Sequence, residues 1–286
     1  MFKNVVIGVD GSAGGRDAIA LARLLGDPSA KLTFVLVRSS EIAEDVAESE
    51  ELLERERSAA DLEAELLSVI SLNPGRGLHE QAERHGADLL VVGSCRHGTF
   101  GRAMLSNDTR AALNGAPCAV AVASRGYAEH HTAISNLGVA YNGSPESAAA
   151  LAVARELAAP TGATVHALEV VSLPPAIYGG LVAPAIGDYI EEVVKEAGDR
   201  MKELADVDAR AVYGIAGEEL AAFGDELDLL VVGSRGYGPL RRLVSGSTSN
   251  YLERHARCSL LVLPRTATAP ASDPASASGH LSASVN

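Results

Sequence analysis

Asp88-Leu-Leu-Val-Val-Gly-Ser94 and Asp228-Leu-Leu-Val-Val-Gly-Ser234 are the same seven residues, 140 positions apart. The central Leu-Leu-Val-Val is apolar at every position, so as a strand it has to be covered on both faces. Strands of that kind belong to parallel sheets with helices packed on either side. A repeat on the scale of a whole domain therefore predicts a duplicated α/β fold.

The rest of the chain falls into place around these two phrases. Val5-Val-Ile-Gly-Val-Asp10-Gly-Ser is an apolar run ending in a turn, and its counterpart is Leu137-Gly-Val-Ala-Tyr-Asn142-Gly-Ser. The offset is 132 there and grows to 140 by the second phrase, because the second half carries extra residues near Leu173–Ile186. Pro174, Pro175, Gly179, Gly180 and Pro184 mark that stretch as a longer loop. In the first half the pattern predicts strands near 4–10, 32–38, 66–72, 88–93 and 118–123, with helices near 14–25, 43–64, 76–85 and 107–114. In the second it predicts strands near 136–141, 163–170, 207–213, 228–233 and 258–263, with helices near 146–158, 186–205, 216–223 and 247–255. Alternating strands and helices with right-handed crossovers give two tandem doubly wound five-stranded parallel sheets, Rossmann-like, each of order 3-2-1-4-5. The expected domains are residues 1–128 and 132–265, joined by a short link near Arg125–Ala133, so the two should pack together. From 266 to 286 the chain is Ala, Ser, Thr and Pro without an apolar period, which predicts a disordered tail.

Composition narrows the function. The 286 residues are 47% hydrophobic and 21% charged, with a formal net charge of −13. The sequence pI is about 5.1 and the mean hydropathy +0.11. Nucleic-acid binding relies on Lys and Arg neutralising phosphates, so DNA or RNA is excluded as the main partner. The three cysteines have no paired spacing, which suggests neither a disulfide framework nor a zinc site. Cys118 and Cys258 occupy equivalent positions at the head of apolar runs and read as buried strand residues. Cys95 follows the first Val-Val-Gly-Ser phrase. The N-terminus resembles neither a signal peptide nor a membrane span, so the expected location is the cytoplasm.

The chemistry concentrates after the second phrase. A doubly wound sheet binds ligands where strand order reverses, here between the first and fourth strands of each half. In the second half those strands end at Asn142 and Gly233, so both loops face one crevice. The loop then reads Gly233-x2-Gly236-x9-Gly246-Ser247-Thr248. Glycines admit close backbone approach, and hydroxyls with free amides before a helix form an anion site. Arg235, Arg241 and Arg242 add positive charge nearby. A lone Gly-x2-Gly is also compatible with a plain tight turn, and both readings stay open on spacing alone. No Gly-x4-Gly-Lys-Ser/Thr is present, and the Gly8-x-Asp10 turn lacks the second glycine of a dinucleotide fingerprint.

Val9-Asp10-Gly-Ser, Tyr141-Asn142-Gly-Ser, the two Asp-Leu-Leu-Val-Val-Gly-Ser phrases and above all the glycine spacing from Gly233 to Ser247 resemble the universal stress protein family. The resemblance covers about residues 1–265 as two copies. It implies ATP in the second domain, with phosphates against Gly236, Gly246, Ser247 and Thr248, ribose near Gly233, and adenine near Asn142 and Val170. AMP or ADP, and Mg with the phosphates, are not separated from ATP by sequence. It also implies contact between paired domains through their fifth strands, here Cys118–Ala123 with Cys258–Leu263, as an internal pseudo-dimer. Whether chains form a further homodimer is left open.

Two departures shape the expectation. Asn142 stands where the family usually has Asp, retaining a carbonyl acceptor and gaining donors. In the first half Arg96, Ser106 and Asn107 replace the Gly, Gly and Ser of the loop, leaving a vestigial half-site of Asp10, Val37 and Gly93. Elsewhere the plainer readings prevail. Ser12 and Ser144 read as helix caps, His130-His131 as a solvated link, His97 as a surface-loop histidine, and the acids of Glu41–Glu65 as the wet face of an amphipathic helix. No residue set suggests a metal site or catalysis. The expected function is a cytoplasmic stress-response protein that binds ATP, acts as sensor or regulator through a protein partner, and touches no membrane. The alternatives are an interaction module without nucleotide, or a weak ATPase.

Overall fold

The computed structural model describes residues 1–94, 116–130, 133–172, 183–233, 251–252 and 255–264. The expected helices 107–114 and, for the most part, 247–255, the loop ahead of residue 183 and the tail lie outside these residues.

The first half runs β1 (Phe2–Gly8), α1 (Ala13–Leu25), β2 (Gly26–Arg38), α2 (Ala43–Ala60), β3 (Glu65–Ile70), α3 (Pro74–Arg84), β4 (Leu89–Gly93) and β5 (Ala119–Ala123). The second repeats the order: β6 (Asn136–Ala140), helix Pro145–Ala158, β7 (Thr164–Val171), helix Ala183–Met201, β8 (Asp208–Tyr213), helix Ala216–Phe223, β9 (Leu229–Gly233) and β10 (Ser259–Leu263). Among the described residues ten strands form one sheet, ordered β3-β2-β1-β4-β5-β10-β9-β6-β7-β8. Read inward from either edge, each half has the order 3-2-1-4-5, with every strand inside a half parallel to its neighbours. Only β5 and β10 run antiparallel, with Leu260 opposite Val122, Leu261 opposite Ala121 and Val262 opposite Val120.

The repeated phrase explains the layers. Side chains alternate faces along a strand, and Leu89 and Val91 enter one core while Leu90 and Val92 enter the other. β9 divides likewise, Leu229 and Val231 to one side and Leu230 to the other. The first core holds Ala18, Leu21 and Leu25 of α1, Leu53 of α2, Ala150 and Leu157 of helix Pro145–Ala158, and Met201. The second holds Leu78 and Ala82 of α3, and Leu220 and Phe223 of helix Ala216–Phe223. Each core runs through both halves, so equivalent helices of the two halves lie on the same side of the sheet.

Several boundaries differ from the sequence reading for local reasons. β2 begins at Gly26 rather than near 32, because Phe2 pairs with Gly26 and Asn4 with Lys31 across a bulge. The turn-like Asp27-Pro-Ser inside it folds on itself, with Asp27 Oδ1 accepting the Ser29 N–H at 2.9 Å. α2 stops at Ala60 because Asp61 adopts the left-handed conformation, φ 51°. The link between halves is also more ordered than a solvated connection. It contains the short helix Tyr127–His130, and Tyr127 is wholly buried in the first core.

Candidate functional site

In a parallel sheet all strands of a half end on the same edge. The adjacent β7, β6 and β9 therefore bring Val170, the segment after Ala140 and Gly233 to one edge. Connections from β6 and β9 leave towards opposite sides, β6 to β7 and β9 to β10, which opens the crevice between them. Gly233 is the last residue of β9 and lies hard against the start of helix Pro145–Ala158. A Cβ at Gly233 would stand 2.6 Å from the Glu146 carbonyl oxygen, so only glycine allows this approach.

Asn142 lies exposed two residues beyond β6. Its Oδ1 accepts the Ser144 N–H at 3.2 Å, and Gly143 completes the turn at φ +75°. Ser144 then caps the helix, its Oγ accepting the Ser147 N–H at 3.2 Å, and Ser147 Oγ accepts the Asn142 N–H at 3.3 Å. Val170 is half-buried and packs on the second core. The loop residues Gly236, Gly246, Ser247 and Thr248 lie outside the described residues, as do Cys95, Arg96, His97, Ser106, Asn107 and His131.

The first half builds the same turn. Asp10 Oδ1 accepts from the Ser12 N–H at 3.0 Å and the Ser12 hydroxyl at 2.5 Å, Gly11 has φ +72°, and Ser12 caps α1 through the Gly15 N–H at 3.3 Å. Gly93 abuts the Gly14 backbone as Gly233 abuts Glu146. Val37 is half-buried at the end of β2. What differs is the cover. A Cβ at Gly11 would stand 2.7 Å from Leu52 Cδ1 of α2. Arg16 Nη1 donates to the Gly11 carbonyl at 3.2 Å and to Glu56 at 3.4 Å, and Glu56 is only 5% exposed. At Gly143 a Cβ would meet nothing within 4 Å among the described residues.

The repeated acid of the opening phrase has a structural task that the sequence reading missed. Asp88 accepts from the Lys3 and Asn4 N–H groups at 2.8 and 3.0 Å, and Asp228 from those of Ser135 and Asn136 at 2.7 and 2.9 Å. Each pins the start of the fourth strand to the start of the first, at the end of the sheet away from the crevice. The exact repetition of this Asp ahead of a strand was the available signal. Cys118 and Cys258 are buried, and burial pushes both thiols up to about 12. Among the described residues no group of three His, Cys, Asp or Glu side chains is placed to hold a metal ion, and no helix is long and apolar enough to cross a membrane.

The model of the universal stress protein family matches residues 1–124 and again 134–264. The chain belongs to the universal stress protein family. A universal stress protein of Methanocaldococcus jannaschii is 28% identical over 135 residues, which cover 43% of this chain and 78% of that protein. The crystal structure of a universal stress protein from Archaeoglobus fulgidus aligns with TM-score 0.64 at 19% identity, over 92% of this chain and 98% of that one. A functionally unknown protein from Pseudomonas aeruginosa aligns with TM-score 0.67 at 16% identity, over 92% of each chain. At such identities the two structures show a shared fold. The universal stress protein described here thus carries the family's domain twice in one chain.

Proposed function

We propose that this universal stress protein binds an adenine nucleotide, ATP in the first instance, in the crevice of its second half. It acts as a cytoplasmic sensor or regulator that reports to a protein partner, rather than as a catalyst. The observation that carries this reading is the unequal cover of two equal turns: Leu52 and the Arg16–Glu56 bridge lie over Gly11, whereas Gly143 is open among the described residues. The glycine spacing Gly233-x2-Gly236-x9-Gly246-Ser247 follows the open turn and not the covered one. In this reading Asn142 and Val170 meet the base, Gly233 lies beside the ribose, and Gly236, Gly246, Ser247 and Thr248 receive the phosphates through backbone N–H groups and hydroxyls, with Mg as a companion ion. The first half, with Asp10, Val37 and Gly93, serves as structural partner.

Mass spectrometry of small molecules released by denaturing freshly purified protein tests the proposal, together with calorimetric titration of ATP into wild type and Gly246→Val. Release of an adenine nucleotide and loss of titratable binding in Gly246→Val are expected. If no nucleotide is released and ATP does not raise the melting temperature, the chain is an interaction module without a nucleotide. ADP production that follows the protein through purification and vanishes in Gly246→Val would make it an ATPase instead.

A further inference from the structure

Three large apolar side chains stand in water at the outer corner of the first half. Leu72 is 92% exposed, Ile42 61% and Ile70 44%. Hydrogen bonds gather them at the ends of β2 and β3. Ser71 donates its N–H to the Arg38 carbonyl at 3.0 Å, and Arg38 donates from Nε to Ser68 Oγ at 2.9 Å and from Nη1 to the Ser40 carbonyl. The Ile42 N–H in turn donates to Ser40 Oγ at 3.1 Å. Leu66 of β3 belongs with the first core, and Leu67 and Val69 with the second. Ile70, four residues on from Leu66, is therefore on the face of the sheet that carries α2.

Local structure does not ask for these residues. Ile42 is the N-cap of α2, a place where Ser, Thr, Asp or Asn would satisfy a free amide, and Ile makes no such bond. Leu72 precedes Asn73, the N-cap of α3. An apolar residue there normally packs on the fourth residue of the helix, but that residue is Gly77, which offers no side chain to meet. The charge around the three is of one sign. Glu41, Glu44 and Glu48 are exposed and Asp45 is half-buried, while Arg38 is taken up by Ser68 and Ser40.

We propose that this corner is the docking site for a protein partner, and that the segment it takes is both basic and apolar. Leu or Ile side chains of the partner cover Ile42, Ile70 and Leu72, and Lys or Arg beside them meet the acids. The site gives a place to the protein partner proposed above, and it does not depend on a nucleotide in the second half. The acids decide between occupants. A second copy of the chain would set the same acids against each other across a two-fold axis. An anionic membrane surface or a nucleic acid would be repelled by them.

Fluorescence anisotropy with labelled peptides of about 15 residues and the full-length protein tests the site. One peptide carries Leu and Lys at amphipathic helical spacing, a second Leu and Glu at the same spacing, and a third Lys with Ser. The Leu/Lys peptide should bind about tenfold more tightly than either of the others. It should bind about tenfold more weakly to Leu72→Ser/Ile42→Ser, which withdraws two of the covered side chains. Ile215→Ser, an exposed apolar position in the other half, should bind it as wild type does. All these positions are on the surface, so the variants keep the fold. Absence of Leu/Lys binding overturns the proposal, as does unchanged affinity in Leu72→Ser/Ile42→Ser or an equal loss in Ile215→Ser. A dimer seen by sedimentation that Leu72→Ser/Ile42→Ser dissolves would overturn it too, because the corner would then belong to a second copy.

Discussion

Gly233 and Gly93 are glycines because a backbone passes where a Cβ would be, and this sets a firm expectation. Gly93→Ala and Gly233→Ala should each lower stability by about 1–3 kcal/mol, since overpacking against a main chain cannot be relieved by a rotamer change. Urea unfolding with an unchanged denaturant slope checks it. The cysteines give a pH-dependent expectation. A thiol ionising near 9.0 when unfolded and near 12 when buried contributes stability that is whole below about 9 and drains away as pH rises towards 12. Cys118 and Cys258 should resist iodoacetamide at pH 8.5 in the native protein and react in urea. Alkaline destabilisation over that window should shrink in Cys118→Ala/Cys258→Ala.

Strands were the legible elements because Leu-Leu-Val-Val, Val-Val-Ile and Leu-Leu-Val-Leu have no polar face to present to water. Their C-terminal ends made Asn142, Val170 and Gly233 legible as neighbours, since strand order alone gathers them. The cover of the first crevice was not legible. Leu52 looks like any apolar residue of an amphipathic helix, and its seat on Gly11 depends on how α2 crosses α1. Buried Asp17 of α1, whose carboxylate accepts the Gly126 and Ala128 N–H groups at 2.8 and 2.9 Å, escaped for the same reason, its partners lying more than 100 residues away in a link read as solvated. The β5–β10 seam was foreseen as a pairing, but not its polar fastening. Ser259 Oγ accepts the Ser124 N–H at 3.1 Å, and both residues are buried. Ser259→Ala strands that N–H and should cost about 1–3 kcal/mol in urea unfolding, whereas Ser29→Ala, on an exposed turn, should stay within about 0.5 kcal/mol.

At the scale of the whole molecule, the proposed division of labour predicts that ATP titration saturates at one equivalent per chain. Two equivalents would show that the Leu52 cover does not close the first crevice. The continuous cores predict a single unfolding transition seen alike by far-UV circular dichroism and by exchange of β1 and β6 amides, rather than two steps for two halves. The antiparallel seam at Ala121 and Leu261 carries a different consequence. A single half would end in an open fifth strand and would need a second molecule to cover it, so its assembly would follow the law of mass action. Here both fifth strands are supplied by one chain, and the encounter is unimolecular. Dilution cannot part them, and a cell that makes little of this protein still makes it with its central seam closed.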